Sequence, residues 1–284
     1  MMDETHLIND EQATLWNGGA GRSWVEAQAA LDRMFQPLED RLVAAVGAAA
    51  ATRVLDIGCG TGSTTLAVAR RLGAKGHCVG IDISEPMITA ARHRAEQDGT
   101  PARFIRDDAQ IHDFGSTRFD MMISRFGVMF FADPVAAFKN LRRAAQDNTS
   151  LQLIAWRSPA ENSFMTTAER AAAPLLPDLP ARRPDSPGQF GFADRHRVQR
   201  ILDQSGWTRI EITPIDVSCT LPETDLIQYF TRLGPLGRIL DTTDTQTRTQ
   251  LVQTVRAAFD PFVRGPDVNF TAACWMIGTR ALSA

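Results

Sequence analysis

The sequence predicts an α/β fold, a doubly wound and mostly parallel sheet with helices on both faces, and three observations predict it. Short apolar runs alternate with helix-patterned stretches of roughly ten residues between positions 53 and 157. The first run, RVLDIG, leads into a glycine-rich turn (Gly58, Gly60, Gly62), and the second, HCVGID, ends in a carboxylate, Asp82. The 284 residues, 44% hydrophobic and 22% charged, can bury a large core without staples.

In chain order, residues 11–50 place Trp16, Trp24, Leu31, Phe35, Leu38, Leu42 and Val46 at spacings that fit an apolar helix face. Gly18-Gly19-Ala20-Gly21 interrupts the pattern, so two helices joined by a glycine turn are expected. The helix after RVLDIG spans 63–72, and Ser63, Thr64 and Thr65 are available to cap its free N–H groups. HCVGID precedes a helix that starts near Ser84-Glu85-Pro86, where proline suits the first turn, and ends near Asp98-Gly99. ARFIRDD, FDMMISR and LQLIAWR are the third to fifth strands, with a helix over 134–145 between the last two. Residues 158–191 turn proline-rich and read as an insertion over the sheet that carries a helix over 160–173. A helix over 194–204 and the strand TRIEITPIDV resume the core, a second insertion over 221–265 carries helices at 225–233 and 245–262, and NFTAACWMIGTRA is the last strand. The expected organisation is an N-terminal helical cap (1–51), a core (52–157 and 192–280) and lid insertions (158–191 and 221–265).

A net charge of −3 with dispersed basic residues argues against a nucleic-acid partner, and pairs such as Arg142-Arg143 and Arg182-Arg183 read as solvated faces. Cys59, Cys78, Cys219 and Cys274 lack CxxC spacing, so neither a disulfide nor a metal site is expected. The polar N-terminus is unlike a signal peptide, and no apolar run approaches the roughly 18 residues of a membrane span, which points to a cytoplasmic protein, monomer or homodimer, without a membrane partner. Arginine outnumbers lysine 28 to 2, a bias typical of a GC-rich bacterial genome.

The glycine order narrows the ligand. A dinucleotide site requires G-x-G-x-x-G, whereas here Gly58, Gly60 and Gly62 are followed by Ser63, so the third glycine comes one residue early. Asp56, inside the strand end, would face a pyrophosphate unfavourably but could orient a ligand that carries an ammonium and a sulfonium. VLDIGCGTG followed by GIDIS resembles motif I and the next acidic strand end of class I S-adenosylmethionine-dependent methyltransferases. SRFGVMFFADP and LWNGGAGRSWV resemble a bacterial small-molecule group within that class, so the resemblance covers nearly the whole chain and thins in both insertions. It implies a Rossmann-like doubly wound seven-stranded sheet with the last strand antiparallel, S-adenosyl-L-methionine as cofactor and S-adenosyl-L-homocysteine as product.

The same resemblance implies residue roles. Asp82 matches the acid that accepts from the ribose hydroxyls, and Ile83 and Met87 would touch the adenine ring. Asp108-Ala109 matches an Asp-Ala pair in which the acid accepts from the adenine amine, with Asp107 as the alternative. Gly58 and Gly60 would let the backbone approach the methionine moiety, Asp56 would orient its ammonium, and Ser124 ends the strand whose backbone meets the same moiety. An N-terminal helix that closes over the cofactor makes Trp16 and Trp24 candidates to complete the pocket, although helix packing explains them equally well.

Transfer from a sulfonium is an in-line displacement with an activated leaving group, so alignment can supply roughly 7–11 kcal/mol and no catalytic residue is assigned. None of His6, His77, His93, His112 and His196 sits at a strand end after the fourth strand, and His112 comes nearest. Arg125, Phe126, Met129, Trp156, Phe164 and Tyr229 are the substrate-binding candidates and suit a small, partly apolar or aromatic acceptor, while Arg125 and Arg157 could meet an acidic group on it. Two other readings keep the cofactor site: an enzyme that catalyses a rearrangement or cyclisation, and a non-catalytic binding partner.

Overall fold

The computed structural model describes residues 4–176, 182, 186–240 and 243–282. Its sheet runs β3-β2-β1-β4-β5-β8-β6. The strands β1 (Arg53–Ile57), β2 (His77–Asp82), β3 (Arg103–Arg106), β4 (Phe119–Arg125) and β5 (Ala145–Trp156) are mutually parallel. β8 (Asp267–Ala281) lies antiparallel to both β5 and β6 (Thr208–Pro222). The expected antiparallel last strand is therefore present. An eighth strand, β7 (Val263–Arg264), pairs with β8 and was not anticipated, because two residues carry no periodicity.

The central strands are buried on both faces, which is why β1 and β4 read as near-continuous apolar runs. Edge strand β6 alternates between buried and exposed residues and continues to Pro222, beyond the expected TRIEITPIDV. The chain order reverses between β1 and β4, and in open α/β sheets ligands bind beyond the strand C-termini at such a switch point.

Helices α4 (Ser63–Leu72), α5 (Glu85–Asp98), α6 (Pro134–Arg143) and α8 (Arg195–Gln204) belong to the core. Ser84, Asp133 and Asp194 cap α5, α6 and α8 through their side chains. The start of α4 departs from expectation: its N-cap is Gly62 at φ +83°, with no side-chain cap. The hydroxyls of Ser63 and Thr65 instead donate to Glu39 and Asp56, tying α4 to its neighbours.

Three helices, not two, precede the sheet: α1 (Glu4–Asn17), α2 (Gly19–Glu26) and α3 (Gln28–Ala48). Only Gly18 lies between α1 and α2, and Gly21 lies within α2 where that helix passes close to the start of α5. A Cβ at Gly21 would meet Ser84 Oγ at 2.8 Å and Pro86 Cγ at 3.0 Å. The described residues of the segments expected to be insertions include α7 (Ser163–Ala172), α9 (Leu226–Arg232), α10 (Gly234–Leu240) and α11 (Thr245–Ala258). α7 packs on α10 and α11, so the three helices share one apolar cluster. Among the described residues no helix is long and apolar enough to cross a membrane, no metal-binding cluster is present, and all four cysteines are free thiols.

Candidate functional site

The C-terminal ends of the parallel strands open into a cavity of about 970 Å³, covered by α1, α2, α7, α9 and α10. Its floor is the glycine turn after β1. Gly58 sits at φ +65°, and a Cβ there would lie 2.6 Å from Gly127 Cα, so the loops after β1 and β4 touch backbone to backbone. Gly60, at φ +54°, has only Met87 Sδ near its missing Cβ, at 3.6 Å, and presents an open backbone face to the cavity.

Asp82 ties this turn to the next strand end. Its Oδ2 accepts from the Gly60 N–H at 2.8 Å and its Oδ1 from the Ser84 N–H at 2.9 Å. Burial pushes the carboxyl above its usual range, against these backbone donors. Asp108 accepts from Asn9 Nδ2 of α1 and from the Gln110 N–H, each at 2.9 Å. Asp107 pairs with His112 Nδ1 at 2.6 Å, which distinguishes the two neighbouring acids. α1 is fastened over this end by Asn17, which donates to the Ile83 carbonyl at 3.2 Å and accepts from the Glu85 N–H at 2.9 Å. Trp16 meets Trp24 edge-on at 6.2 Å and Phe130 at 5.0 Å, and all three line the cavity.

Two of the cofactor-binding expectations need correction. Asp56 is 1% exposed and does not line the cavity; its carboxylate faces α4 and accepts from Thr65 Oγ1 at 2.7 Å. Ser124, fully buried, donates to the Ile57 carbonyl at 2.7 Å and accepts from the Gly127 N–H at 3.2 Å, clamping the loops after β1 and β4 from behind. Burial pushes the Asp56 carboxyl up to about 6, against the Thr65 hydrogen bond that lowers it. The folded state then holds a proton that the unfolded chain releases near pH 4, so this group's contribution to stability falls as pH rises from about 4 to 6 and is flat above. Asp56→Asn is expected to remove that part of the slope, on the order of 2–3 kcal/mol, measured by urea unfolding across this range.

The other expected cofactor residues, Gly58, Gly60, Asp82, Ile83, Met87, Asp108, Ala109, Trp16 and Trp24, all line the cavity, as do Arg125, Phe126, Met129, Trp156, Phe164 and Tyr229. Arg157 does not: Glu161 at 2.6 Å and Asp216 at 2.9 Å hold it outside. His112 is likewise absent from the wall. Phe126 adopts φ +66°, rare for a bulky residue, and stacks on Trp156 at 4.4 Å with 6° between the rings. Phe35 of α3 meets both edge-on, and its helix periodicity had marked it only as core. Glu169, which carried no sequence signal, also lines the cavity, and so does Arg182, which was expected on a solvated face but is turned inward by its ion pair with Glu169. Arg183 lies outside the described residues.

Residues 54–148 match the family model described as a methyltransferase domain. This match, with methyltransferase relatives and structural neighbours, supports a class I S-adenosylmethionine-dependent methyltransferase. The demethylmenaquinone methyltransferase of Staphylococcus saprophyticus is 22% identical to this methyltransferase over 169 residues, 57% of this chain and 72% of that one. An uncharacterized protein of Mycobacterium tuberculosis (strain H37Rv) is 31% identical over 150 residues, 52% of this chain, and the match spans 54% of its length. The crystal structure of YcgJ from Bacillus subtilis superposes with a TM-score of 0.57 at 17% identity, covering 87% of this chain and 98% of that one, which shows the shared fold.

The methyltransferase's cofactor is S-adenosylmethionine, and the residues present fit it. A half-buried carboxylate (Asp82) and the open backbone of Gly60 line one end of the cavity, and Gln12 Oε1, on the wall formed by α1, is a buried acceptor without a partner among the described residues.

Proposed function

We propose that this methyltransferase moves the methyl group of S-adenosyl-L-methionine to a small, partly apolar or aromatic acceptor. The observation that carries the reading is a single cavity joining Asp82 and Gly60 at one end to Arg125 and the ring cluster of Phe35, Phe126 and Trp156 at the other. When bound, the cofactor supplies an activated methyl on sulfur. The protein's work is to orient and to exclude water. Asp82 holds the ribose hydroxyls, Ile83 and Met87 flank the adenine, Asp108 meets its amine, and Ala109 leaves room for the ring. Gly60 lets the backbone approach the methionine moiety, Trp16 and Trp24 close the pocket from the helical cap (1–51), and Arg125, Phe126, Met129, Trp156, Phe164 and Tyr229 face the acceptor. The segments 158–191 and 221–265 serve as lids on the core.

Calorimetry with S-adenosylmethionine, S-adenosylhomocysteine and NAD tests the reading, and preference for NAD or no binding of the first two would overturn it. Asp82→Ala is expected to weaken S-adenosylhomocysteine binding by about 1.5–3 kcal/mol, roughly 10- to 100-fold, since the ribose loses a charged acceptor and the Gly60 N–H is freed. Unchanged affinity would place the ribose elsewhere. An acceptor screen with labelled cofactor separates methyl transfer from a rearrangement or cyclisation, which would leave the label on the cofactor.

A further inference from the structure

We infer that the acceptor is an aromatic anion, held by Arg125 and methylated in its ionised form without a protein base. This rests on the function proposed above. Arg125 ends β4 at the cavity wall with its side chain 15% exposed. Its Nη1 reaches the Phe35 carbonyl at 3.4 Å and the Glu39 carboxylate at 3.7 Å, while Nε and Nη2 have no partner among the described residues. Glu39 is nearly buried, accepts from Ser63 Oγ and does not line the cavity. Asp56 and Cys219 are the other ionisable groups whose interaction with Arg125 is felt, and both lie outside the wall. A long ion pair of this kind leaves half of a rigid, permanently charged fork open to an anionic oxygen.

The groups that could take a proton point the same way. Among the described residues no histidine lines the cavity. Of its acids, Asp82, Asp107, Asp108 and Glu11 belong to the β2–β3 end or to α1, and Asp32 is paired with Arg94 at 2.7 Å beside the glycine turn. Among the described residues the one lid acid on the wall, Glu169, is held in both oxygens by the Arg182 fork, at 2.5 and 2.8 Å. Burial raises the Tyr229 phenol and the Cys59 thiol well above neutrality, so both stay protonated, and Tyr229 donates to Met165 Sδ at 3.3 Å. A neutral phenol would find no base among the described residues. An anion needs none: its electron pair forms the bond to the methyl carbon as the C–S bond breaks onto sulfur, and two oppositely charged reactants become neutral at the reacting atoms with no proton moved. The rings of Phe35, Phe126 and Trp156 keep water from the guanidinium and strengthen its hold on such an anion.

The test uses the full chain saturated with S-adenosylhomocysteine, with 2,4-dinitrophenolate and its neutral ether 2,4-dinitroanisole as calorimetric probes at neutral pH. The phenolate is expected to bind roughly 10- to 100-fold more tightly than the ether. Arg125→Met should abolish the preference and Arg125→Lys should restore most of it, each with S-adenosylhomocysteine affinity unchanged. Equal or tighter binding of the ether, no binding of either probe, or a preference that survives Arg125→Met overturns the inference; the comparison on the unaltered protein stands even if a variant fails to fold. Failure of the unaltered protein to bind S-adenosylhomocysteine overturns the proposed function instead.

Discussion

Phe164→Ala is expected to lower the stability of the protein by about 3–5 kcal/mol, read in urea unfolding as a lower midpoint at unchanged slope. Phe164 is 2% exposed and stacks on Phe270 of β8, with ring centroids 4.0 Å apart and 4° between the planes. Phe259 and Phe262 meet it edge-on at 5.1 and 5.3 Å, and Tyr229 lies tilted at 5.4 Å. One ring thus joins the first insertion, the second insertion and the sheet. Truncation removes the transfer energy of the ring and leaves a void whose other walls are themselves rings in fixed contact, so the site cannot collapse to fill it. Because the cluster lies at the lid end of the cavity, S-adenosylhomocysteine affinity should change far less than stability. A cost below about 1 kcal/mol would mean that the lids do not depend on this cluster.

The same residue marks how far the sequence could be read. Phe164 carried a substrate-binding expectation because an aromatic residue in an insertion over a sheet suggests a lining; it does line the cavity, but nothing in its sequence context announced that its ring also stacks on Phe270 of the sheet. The parallel strands were legible because continuous apolar runs bounded by turn residues leave little choice of conformation. The glycine turn was legible because its φ values above zero, at Gly58, Gly60 and Gly62, demand that residue type. Side-chain direction was not. Asp56 and Ser124 stand at strand ends as expected, yet the face each takes depends on Thr65 and on the backbone of Ile57 and Gly127. Arg125 and Arg157 follow adjacent strands and look alike in sequence. Only Arg157 is captured outside the cavity, by Glu161 on its own loop and by Asp216, 59 residues away on β6. The need for glycine at position 21 is likewise a tertiary effect, set by the close approach of α2 to Ser84 and Pro86.

Gly58→Ala is expected to cost about 2–5 kcal/mol, and its comparison with Gly60→Ala separates scaffold from site. Both glycines have positive φ, +65° and +54°, so an L side chain at either position incurs the left-handed penalty of about 1–2 kcal/mol. At Gly58 a second cost is added. The new methyl would lie 2.6 Å from Gly127 Cα, a backbone atom that can retreat only if the loop after β4 moves, and overpacking of this kind costs about 1–3 kcal/mol. Ser124 holds that loop to the Ile57 carbonyl and Phe126 holds it to the Ile154 carbonyl, so the displacement would spread to the stack of Phe126 on Trp156. At Gly60 the only neighbour is Met87 Sδ at 3.6 Å, an ordinary contact with a flexible side chain. Its methyl should therefore cost little stability beyond the backbone term, but it would stand in the space proposed for the methionine moiety. Gly58→Ala should act chiefly on the unfolding midpoint and Gly60→Ala chiefly on S-adenosylhomocysteine affinity; the reverse pattern would exchange the structural and ligand-facing roles assigned to the two glycines.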